Sequence, residues 1–420
     1  MVGDTWPTLL FSELADNFDG RRVPVKGADR RPGPYPYYGA SGIVDRVDGY
    51  IFDGDYLLIG EDGENMRTRQ TPIAFLASGK FWVNNHAHIV RGNHRADTRF
   101  LCYALSQTDI SGFLTGSTMP KLTQGNLNRI PIVVPPMGEQ KAIANILGAL
   151  DDKIELNRKM NATLEGIARA LFQSWFVDFD PVRAKLDGRS PVGMDKATAD
   201  LFPASFQESA LGHIPQGWRT LPLYDTAKFI NGAAFKSENF CPAGEGLPVI
   251  KIAELKEGIR SQTQWSQRQA DPEQLIDTAD MLYSWSGSPD TSLDVFLWSQ
   301  GPGLLNQHIF KVVAPTNAQK RFVYYLLKFL RPILVEIARD KQTTGLGHVT
   351  IADMKRLLVC WPAKEVLAAF DQKIAPIFEK AFFNTTEVQT LATVRDTLLP
   401  KLLSGELRVK DAERMVSEVI

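Results

Sequence analysis

The chain repeats itself at long range, and this repeat constrains its fold more than any other feature of the sequence. The matched blocks are 6–20 with 218–232, 84–90 with 306–312, and about 122–175 with 349–402. In the first pair, for example, Trp6 and Gly20 correspond to Trp218 and Gly232. Because the blocks keep their order along the chain, we interpret the sequence as two copies of one unit.

Each copy begins with a part rich in Gly, Pro, aromatic and β-branched residues that ends in a strand-like run before proline. Each copy then continues as a long helix whose seam residues alternate at spacings of four and three, as in a coiled coil. The seam residues are Ile143, Leu147, Leu150, Ile154, Asn157, Asn161, Leu164, Ala168, Leu171 and Trp175 in the first copy, and Phe370, Ile374, Ile377, Ala381, Asn384, Val388, Leu391, Arg395, Leu398 and Leu402 in the second.

These patterns predict an α+β protein with two globular mixed α/β domains in pseudo-twofold repeat, separated by two long antiparallel coiled-coil helices. The predicted limits are 1–136 for the first domain, 137–177 for the first long spacer helix, 178–217 for a Pro- and Gly-rich connector with one short helix, 218–362 for the second domain, 363–405 for the second spacer helix and 406–420 for a C-terminal tail. At roughly 38 residues, each helix is about 57 Å long. The alternative is two separate amphipathic helices, each packed on its own domain.

Asn157 and Asn384 lie at matching positions in the middle of the two seams. If the helices pack antiparallel with their centres aligned, these two asparagines meet. A buried asparagine in a coiled coil specifies register and partner at a cost in stability. We therefore expect Asn157 and Asn384 to lie within about two helical turns of each other.

The composition excludes a disordered chain, a collagen-like fibre and a disulfide scaffold, because 44% hydrophobic and 23% charged residues are ordinary for a globular protein. Lys+Arg (47) and Asp+Glu (48) nearly cancel, so nucleic-acid binding requires local positive charge. The three widely spaced cysteines indicate a reducing compartment. The start lacks the features of a signal peptide, and no apolar run reaches about 20 residues. We therefore expect a cytoplasmic protein.

The usual enzyme motifs are absent from the sequence, including GxxxxGK[ST], HExxH and GxSxG. The (N/D)PP(F/Y/W) tetrapeptide of amino-methyltransferases is also absent, since Pro135-Pro136 is followed by Met137. We expect no catalytic residue, no metal and no cofactor. We interpret the acids of IGEDGEN (59–65) as solvated residues of a Gly-rich turn, because the second copy has WSGS (285–288) in the corresponding stretch.

Basic, aromatic and polar loops in both copies are candidate nucleic-acid contacts, although any one of them is also compatible with a solvated loop. Lys and Arg neutralise phosphates, whereas Asn and Gln match the edge of adenine. The candidate DNA-binding residues are Arg21, Arg22, Lys26, Arg30, Tyr37, Tyr38, Ser41, Asn84, Asn85, His86, Thr118 and Lys121 in the first copy, and Asn231, Lys236, Ser286, Ser288, Asn306, Gln307, His308, Thr343, Thr344 and His348 in the second. For His86 and His308, the alternative is a structural histidine, either in the core or supporting a neighbouring side chain.

With these residues identified, the sequence resembles the specificity (S) subunits of type I restriction-modification enzymes over essentially its whole length. The characteristic stretches are LFQSWFVDFDPVRAKLDGRSPVGMD (171–195), LFPASF (201–206), GHIPQGW (212–218), PKLTQGNLNRIPIVVPP (120–136), PPMGEQKAIANILGALDDKIELNRKMNATLE (135–165) and RDTLLPKLLSGEL (395–407). The second helix departs from this pattern, because it opens with PAKEVLAAF and lacks the PPxxEQ of the first. We expect its strand-to-helix turn or its partner contact to differ.

The resemblance implies that the two domains are target recognition domains, each reading one half of an asymmetric, interrupted DNA site. It also implies that the helices bind two adenine-N6 methyltransferase (M) subunits, and that restriction/translocase (R) subunits join through this core. S-adenosylmethionine then belongs to the M subunits, and ATP and Mg²⁺ to the R subunits. The alternatives are a coiled-coil scaffold without sequence-specific DNA binding and an autonomous DNA methylase or nuclease.

Overall fold

The computed structural model describes residues 6–342 and 345–417. The chain divides into two compact units. Unit one comprises the residues up to Leu156 together with those from Val388 onward, and unit two is Asn157–Glu387. Each long helix therefore contributes one segment to each unit. No helix within the described ranges is long and apolar enough to cross a membrane.

Unit one contains two four-stranded sheets. The first sheet is antiparallel and has the strand order Ala15–Asn17, Ala87–Gly92, Tyr56–Gly60, Ala74–Ala77. The second has the order Gly42–Val47, Pro32–Gly39, Lys80–Val83, Phe52–Asp53, and its two central strands are parallel. A separate pair joins Thr8–Leu10 to Pro131–Val133. The short helices are Asn65–Thr68, Thr98–Gln107, Gln124–Leu127 and Val409–Ser417.

Unit two repeats both sheets with the same strand order and directions. The antiparallel sheet has the order Lys228–Asn231, Ile309–Val313, Met281–Ser284, Asp294–Leu297. The mixed sheet has the order Trp265–Ser266, Leu247–Ile250, Gly303–Leu305, Leu275–Ile276, again with a central parallel pair. Arg219–Pro222 pairs with Leu358–Trp361. The predicted repeat of a mixed α/β domain is confirmed.

The remaining elements of unit two are mainly helical. Its helices are Asp180–Leu186, Lys196–Asp200, Ile252–Glu257, Pro289–Ser292, Asn317–Asp340 and Ile351–Arg356. Two short strand pairs add Phe206–Ser209 with Gly212–Pro215, and Ser286–Gly287 with Gly347–His348. The connector therefore holds two short helices and a hairpin, so the prediction of a single helix was wrong.

The two long helices are Met137–Phe176 and Lys364–Ser404. In unit one, Ile143, Leu147 and Leu150 of the first helix share a buried apolar cluster with Leu398 and Leu402 of the second. The seam predicted from the alternating spacing is thus a real packing surface. The alternative of helices that pack only on their own domains is wrong.

The middle of the seam in unit two is polar. Asn384 is fully buried and donates from Nδ2 to Oδ1 of Asn161 at 2.9 Å, while Asn161 donates to the carbonyl oxygen of Ala381 at 3.1 Å. Asn157 is also buried and donates to Glu387 Oε2 at 2.6 Å. Asn157 thus contacts Glu387, and Asn161, one turn further along the first helix, contacts the earlier residues Asn384 and Ala381 of the second. The two helices are therefore antiparallel. The direct partner of Asn384 is Asn161, one helical turn from Asn157, and a role of these amides in register stays a prediction.

The two long helices begin differently, because Gln140 of the first helix forms hydrogen bonds that its counterpart in the second helix cannot form. Its Oε1 accepts a hydrogen bond from the backbone N–H of Asp97 at 2.9 Å, and its Nε2 donates to the carbonyl oxygens of Arg95 and Pro135, both at 2.9 Å. The carboxamide thus joins the long helix to the N-terminus of the helix that begins at Thr98. The corresponding residue of the second copy is Leu367, a buried apolar residue that cannot form these bonds.

Candidate nucleic-acid interface

A polar turn precedes the strand Ala87–Gly92 of unit one. Asn84 is buried, and its Oδ1 accepts a hydrogen bond from the backbone N–H of His86 at 2.8 Å, so this asparagine shapes the turn. Asn85 and His86 are exposed. The side chain of His86 is 52% exposed, and its Nδ1 lies 2.9 Å from Asp62 Oδ2. The alternative of a core histidine at position 86 is therefore wrong.

Unit two builds the same turn before the strand Ile309–Val313. Asn306 is buried, and its Oδ1 accepts from the backbone N–H of His308 at 3.3 Å, while Gln307 and His308 are exposed. The core alternative is thus wrong for His308 as well. The ring of His308 packs on Trp285 with a centroid distance of 5.8 Å. The two copies therefore share a turn backbone but surround its histidine with different side chains.

Gly232 lets the chain pass close to this second turn. An added Cβ at Gly232 would lie 2.2 Å from the carbonyl oxygen of Asn306, whereas at the matched Gly20 of unit one it would meet nothing within 4 Å. We expect Gly232→Ala to lower the free energy of unfolding by about 1–3 kcal/mol, since backbone atoms must move. Gly20→Ala is the matched control, and thermal denaturation measures both. Equal melting temperatures for the two variants would contradict this account.

A second loop reaches the same place in each unit. In unit one, Lys121 forms a backbone bridge with Asp62. In unit two, His348 pairs with Ser286 in the short strand pair. Lys121 corresponds to His348 in the repeat. Asp62 and Ser286 also correspond, because each follows the matching strand by two residues. The structure therefore brings the predicted loops of each copy together and presents different side chains at equivalent positions.

Two of the predicted cations of unit one share the carboxylate of Glu61. Arg22 Nη1 lies 2.7 Å from Glu61 Oε2, and Lys121 Nζ lies 3.0 Å from Glu61 Oε1. Burial alone raises the pKa of Glu61, but hydrogen bonds from Arg22 and Lys121 outweigh it and leave this pKa below its usual value. The interpretation of Glu61 as a solvated acid was therefore wrong. The side chain of Arg22 is only 15% exposed, so it holds the turn in place.

His88, which the sequence analysis did not single out, forms a buried ion pair beneath this surface. Its Nδ1 lies 2.5 Å from Asp19 Oδ2, and its Nε2 lies 2.8 Å from the carbonyl oxygen of Leu122. Asp19 Oδ1 also accepts from the backbone N–H of Ile89 at 2.9 Å. Burial by itself lowers the pKa of His88, but the hydrogen bond and charge of Asp19 prevail and raise it. Burial conversely raises the pKa of Asp19, but its bonds with His88 and Ile89 lower it overall.

This pair predicts how the stability of unit one depends on pH. His88 has a raised folded-state pKa, so its contribution is complete below an unfolded-state pKa of about 6.5 and is lost as pH rises through the folded-state value. Asp19 has a lowered pKa, so its contribution is present above about pH 4 and is lost as pH falls through its folded-state value. We expect the melting temperature to decline on the alkaline side of about pH 6.5.

The Asp19→Asn variant provides the control for the pH dependence. Without the aspartate charge, burial lowers the pKa of His88, and the alkaline decline disappears. Melting temperatures of both proteins from pH 5 to 9 test the prediction. Parallel profiles for the wild type and the variant would show that the pair does not control this titration.

Four predicted residues lie in the packed interior or are tied into it. Tyr37 is buried, and its hydroxyl accepts a hydrogen bond from the backbone N–H of Val25 at 3.0 Å. Tyr38 is half-buried and packs against the half-buried Phe75 and the buried Phe81. Asn84 and Asn306 are buried as described above. Because Tyr37, Asn84 and Asn306 are buried and the half-buried ring of Tyr38 already packs on other aromatic rings, we do not carry these four residues forward as DNA contacts.

The other predicted residues of unit one lie at the surface, except that the side chain of Arg30 is only 22% exposed. Arg21 stacks over Phe52 at 4.9 Å, and Arg30 stacks over Tyr37 at 4.3 Å while pairing with Asp45 at 3.2 Å. The remaining exposed members of this set are Lys26, Ser41 and Thr118. Arg21 Nη2 donates to the carbonyl oxygen of Ile51 at 3.2 Å, and the other N–H groups of this exposed guanidinium are able to donate to a phosphate.

In unit two, the exposed Asn231 accepts a hydrogen bond from Trp285 Nε1 at 3.4 Å. Lys236 and Ser288 are exposed, and Ser288 precedes the helix Pro289–Ser292. Thr343 and Thr344 lie outside the described residues. Within the described ranges, no group of three or more His, Cys, Asp or Glu residues is arranged to hold a metal ion.

Comparison with known proteins agrees with this architecture. The family model described as "Type I restriction modification DNA specificity domain" matches residues 4–166 and again 215–394. The HindI specificity subunit of Haemophilus influenzae is 27% identical over 403 residues, covering 84% of each chain. The MjaIX specificity subunit of Methanocaldococcus jannaschii is 26% identical over 380 residues, covering 84% of this chain and 80% of that one.

A solved structure shows the same fold. The S subunit of a type I restriction-modification system from M. genitalium superposes with a TM-score of 0.59 at 19% identity, covering 96% of this chain and 97% of that one. The chain therefore belongs to the family of type I restriction-modification DNA specificity subunits. As a member of this family, it is a non-catalytic, DNA-binding subunit of a larger complex.

Proposed function

We propose that this subunit reads an asymmetric, interrupted DNA sequence, with one half-site for each recognition domain. The observation that supports this most strongly is the pair of equivalent positions with different chemistry. Unit one places Asp62, His86 and Lys121 where unit two places Ser286, His308 and His348. Two copies of one scaffold with different surface groups are suited to two different base sequences.

We assign the exposed side chains to two kinds of contact, with phosphates and with base edges. In this proposal the exposed Arg21, Lys26 and Lys236 contact phosphates, and these contacts set affinity and salt dependence without specifying sequence. A carboxylate such as that of Asp62 accepts from the amino group of cytosine, and Gln307 is suited to adenine. His86 adjusts the position of Asp62 through their hydrogen bond. Half-site identity therefore depends on the turn and loop that meet at each strand end.

We further propose that two adenine-N6 methyltransferase subunits bind the long helices, and that restriction/translocase subunits join through them. Support comes from the family assignment and from apolar side chains that the helices leave exposed, such as Leu156, Ile167 and Phe383. Exposed apolar side chains on a helix are typical of an interaction surface. The same proposal includes the domain limits given above, with recognition domains at 1–136 and 218–362. It also includes a cytoplasmic location.

Exchange of a recognition domain tests this proposal. Residues 1–130 are replaced by those of a relative, the chimaera is expressed with its methyltransferase, and the methylated motif is mapped. We expect one half-site to change and the other to stay the same. Change in both halves would show that the domains do not read independently. A stable complex without sequence-dependent methylation would instead favour the scaffold alternative.

A further inference from the structure

Each unit exposes one large apolar side chain at the same place in the repeat. Met119 is 61% exposed and Leu346 is 60% exposed. Among the large apolar residues that the structure describes, only Val192 is more exposed, at 98%. Met119 and Leu346 are 227 positions apart, the same separation that relates Lys121 to His348. The two exposed residues are therefore matched members of the two copies.

The loop of unit one is built to present Met119. Thr115 and Lys121 close its base with two backbone hydrogen bonds of 2.8 and 2.7 Å. Gly116 has a φ of 85°, and an added Cβ there would lie 2.3 Å from the carbonyl oxygen of Met119. A residue other than glycine at position 116 would therefore disturb the turn. Because the loop is closed and tight, exposure of Met119 is a property of a defined conformation.

The loop of unit two holds Leu346 in a comparable way. Gly347 and His348 pair with Ser286 and Gly287, and Val349 donates its backbone N–H to the carbonyl oxygen of Trp285 at 2.9 Å. Gly347 also lets the loop pass close to the helix Asn317–Asp340, since an added Cβ would lie 2.3 Å from the carbonyl oxygen of Ala338. Leu346 thus stands directly beside the polar groups assigned to the second half-site.

A single exposed apolar side chain is ordinary on a protein surface and needs no explanation. Here, however, the exposure recurs at a matched position in two copies whose neighbouring polar residues differ. Exposed Ser117 and Thr118 precede Met119, and His348 follows Leu346. An apolar side chain among polar side chains that contact base edges is suited to the major groove, where thymine is distinguished by its C5 methyl group.

We propose that Met119 and Leu346 each contact a thymine C5 methyl group in the major groove, one in each half-site. This inference rests on the proposed function, because it requires that the two loops face DNA. Removing one buried methyl group costs an amount that corresponds to about a fourfold loss of affinity. The contacts therefore contribute to the choice between thymine and cytosine at those positions.

The experiment uses the complete methyltransferase complex and a duplex that carries its mapped motif. In separate duplexes, deoxyuridine replaces the thymines of the first or the second half-site, which removes only the methyl groups. We expect wild-type affinity to fall about fourfold for each contacted methyl group lost. Met119→Ala should bind the unsubstituted duplex more weakly and lose the effect of deoxyuridine in the first half-site. Leu346→Ala should do the same for the second half-site.

Two controls separate this contact from general effects of mutation. Val192→Ala removes a more exposed apolar side chain from the connector and should behave like the wild type. Met119→Leu should keep the preference for thymine, because it preserves an apolar side chain of similar length. Equal affinities of the wild type for thymine and deoxyuridine duplexes would overturn the inference, as would a preference for thymine that persists in both alanine variants. Absence of any sequence preference on unsubstituted DNA would instead mean that the proposed function fails.

Discussion

Replacing Asp19 with alanine is expected to lower the free energy of unfolding of the full chain by about 3 kcal/mol, because it removes one partner of a buried ion pair. His88 and Arg22 both lose the carboxylate, which lies 2.5 Å from the first and 3.5 Å from the second. The backbone N–H of Ile89 also loses its acceptor. Chemical denaturation followed by tryptophan fluorescence measures the loss.

Asp16→Ala is the matched control for this variant. Asp16 is exposed and lies on the strand Ala15–Asn17, a few residues away, so its removal should change stability by less than about 0.5 kcal/mol. A small effect of Asp19→Ala, similar to that of the control, would mean that the buried pair contributes little.

Because His88 also contacts the chain at Leu122, we expect the loop 115–121 to become more accessible to proteases in the destabilised variant.

Gln140→Leu is expected to cost about 2–4 kcal/mol, since it leaves the backbone N–H of Asp97 and two carbonyl oxygens without their partner in the interior. The substitution installs the residue type that the second copy carries at the matched position 367. It therefore tests whether unit one depends on a junction that unit two lacks. Thermal and chemical denaturation of the full chain provide the measurement.

Lys141→Leu serves as the control, because Lys141 is the next residue of the same helix and is exposed. This change adds a leucine without removing an interior hydrogen bond, and it should leave the melting temperature nearly unchanged. If both variants melt at the same temperature as the wild type, the carboxamide of Gln140 does not stabilise the junction.

The repeat and the long helices could be predicted because their signals are local or periodic. Heptad spacing reports the buried face of a helix, and the matched blocks report two copies of one fold. The partner of Asn384 was harder to predict, since a shift of one turn changes it from Asn157 to Asn161 without altering the apolar pattern. Register at that resolution depends on side-chain packing along the whole seam.

The sequence identified loops that the structure brings together at the strand ends, but it did not predict the partners of individual side chains. Arg22 has the sequence signature of a phosphate contact, yet it is paired with Glu61, which lies 39 residues away. Asp19 and His88 meet across 69 residues, and no local pattern marks such a pair. Burial of Tyr37 likewise depends on the sheet beneath it. The sequence alone shows that Met119 and Leu346 are matched apolar residues in polar loops. The structure adds that both are exposed, and the proposed contact with DNA depends on that exposure.

Genome-wide mapping of N6-methyladenine tests the central claim most directly. The chain is expressed with its neighbouring methyltransferase in a host without other adenine methylation. The account predicts a single motif with two different half-sites, separated by unspecified bases and methylated on both strands. A continuous or palindromic motif would contradict the assignment of one half-site to each recognition domain.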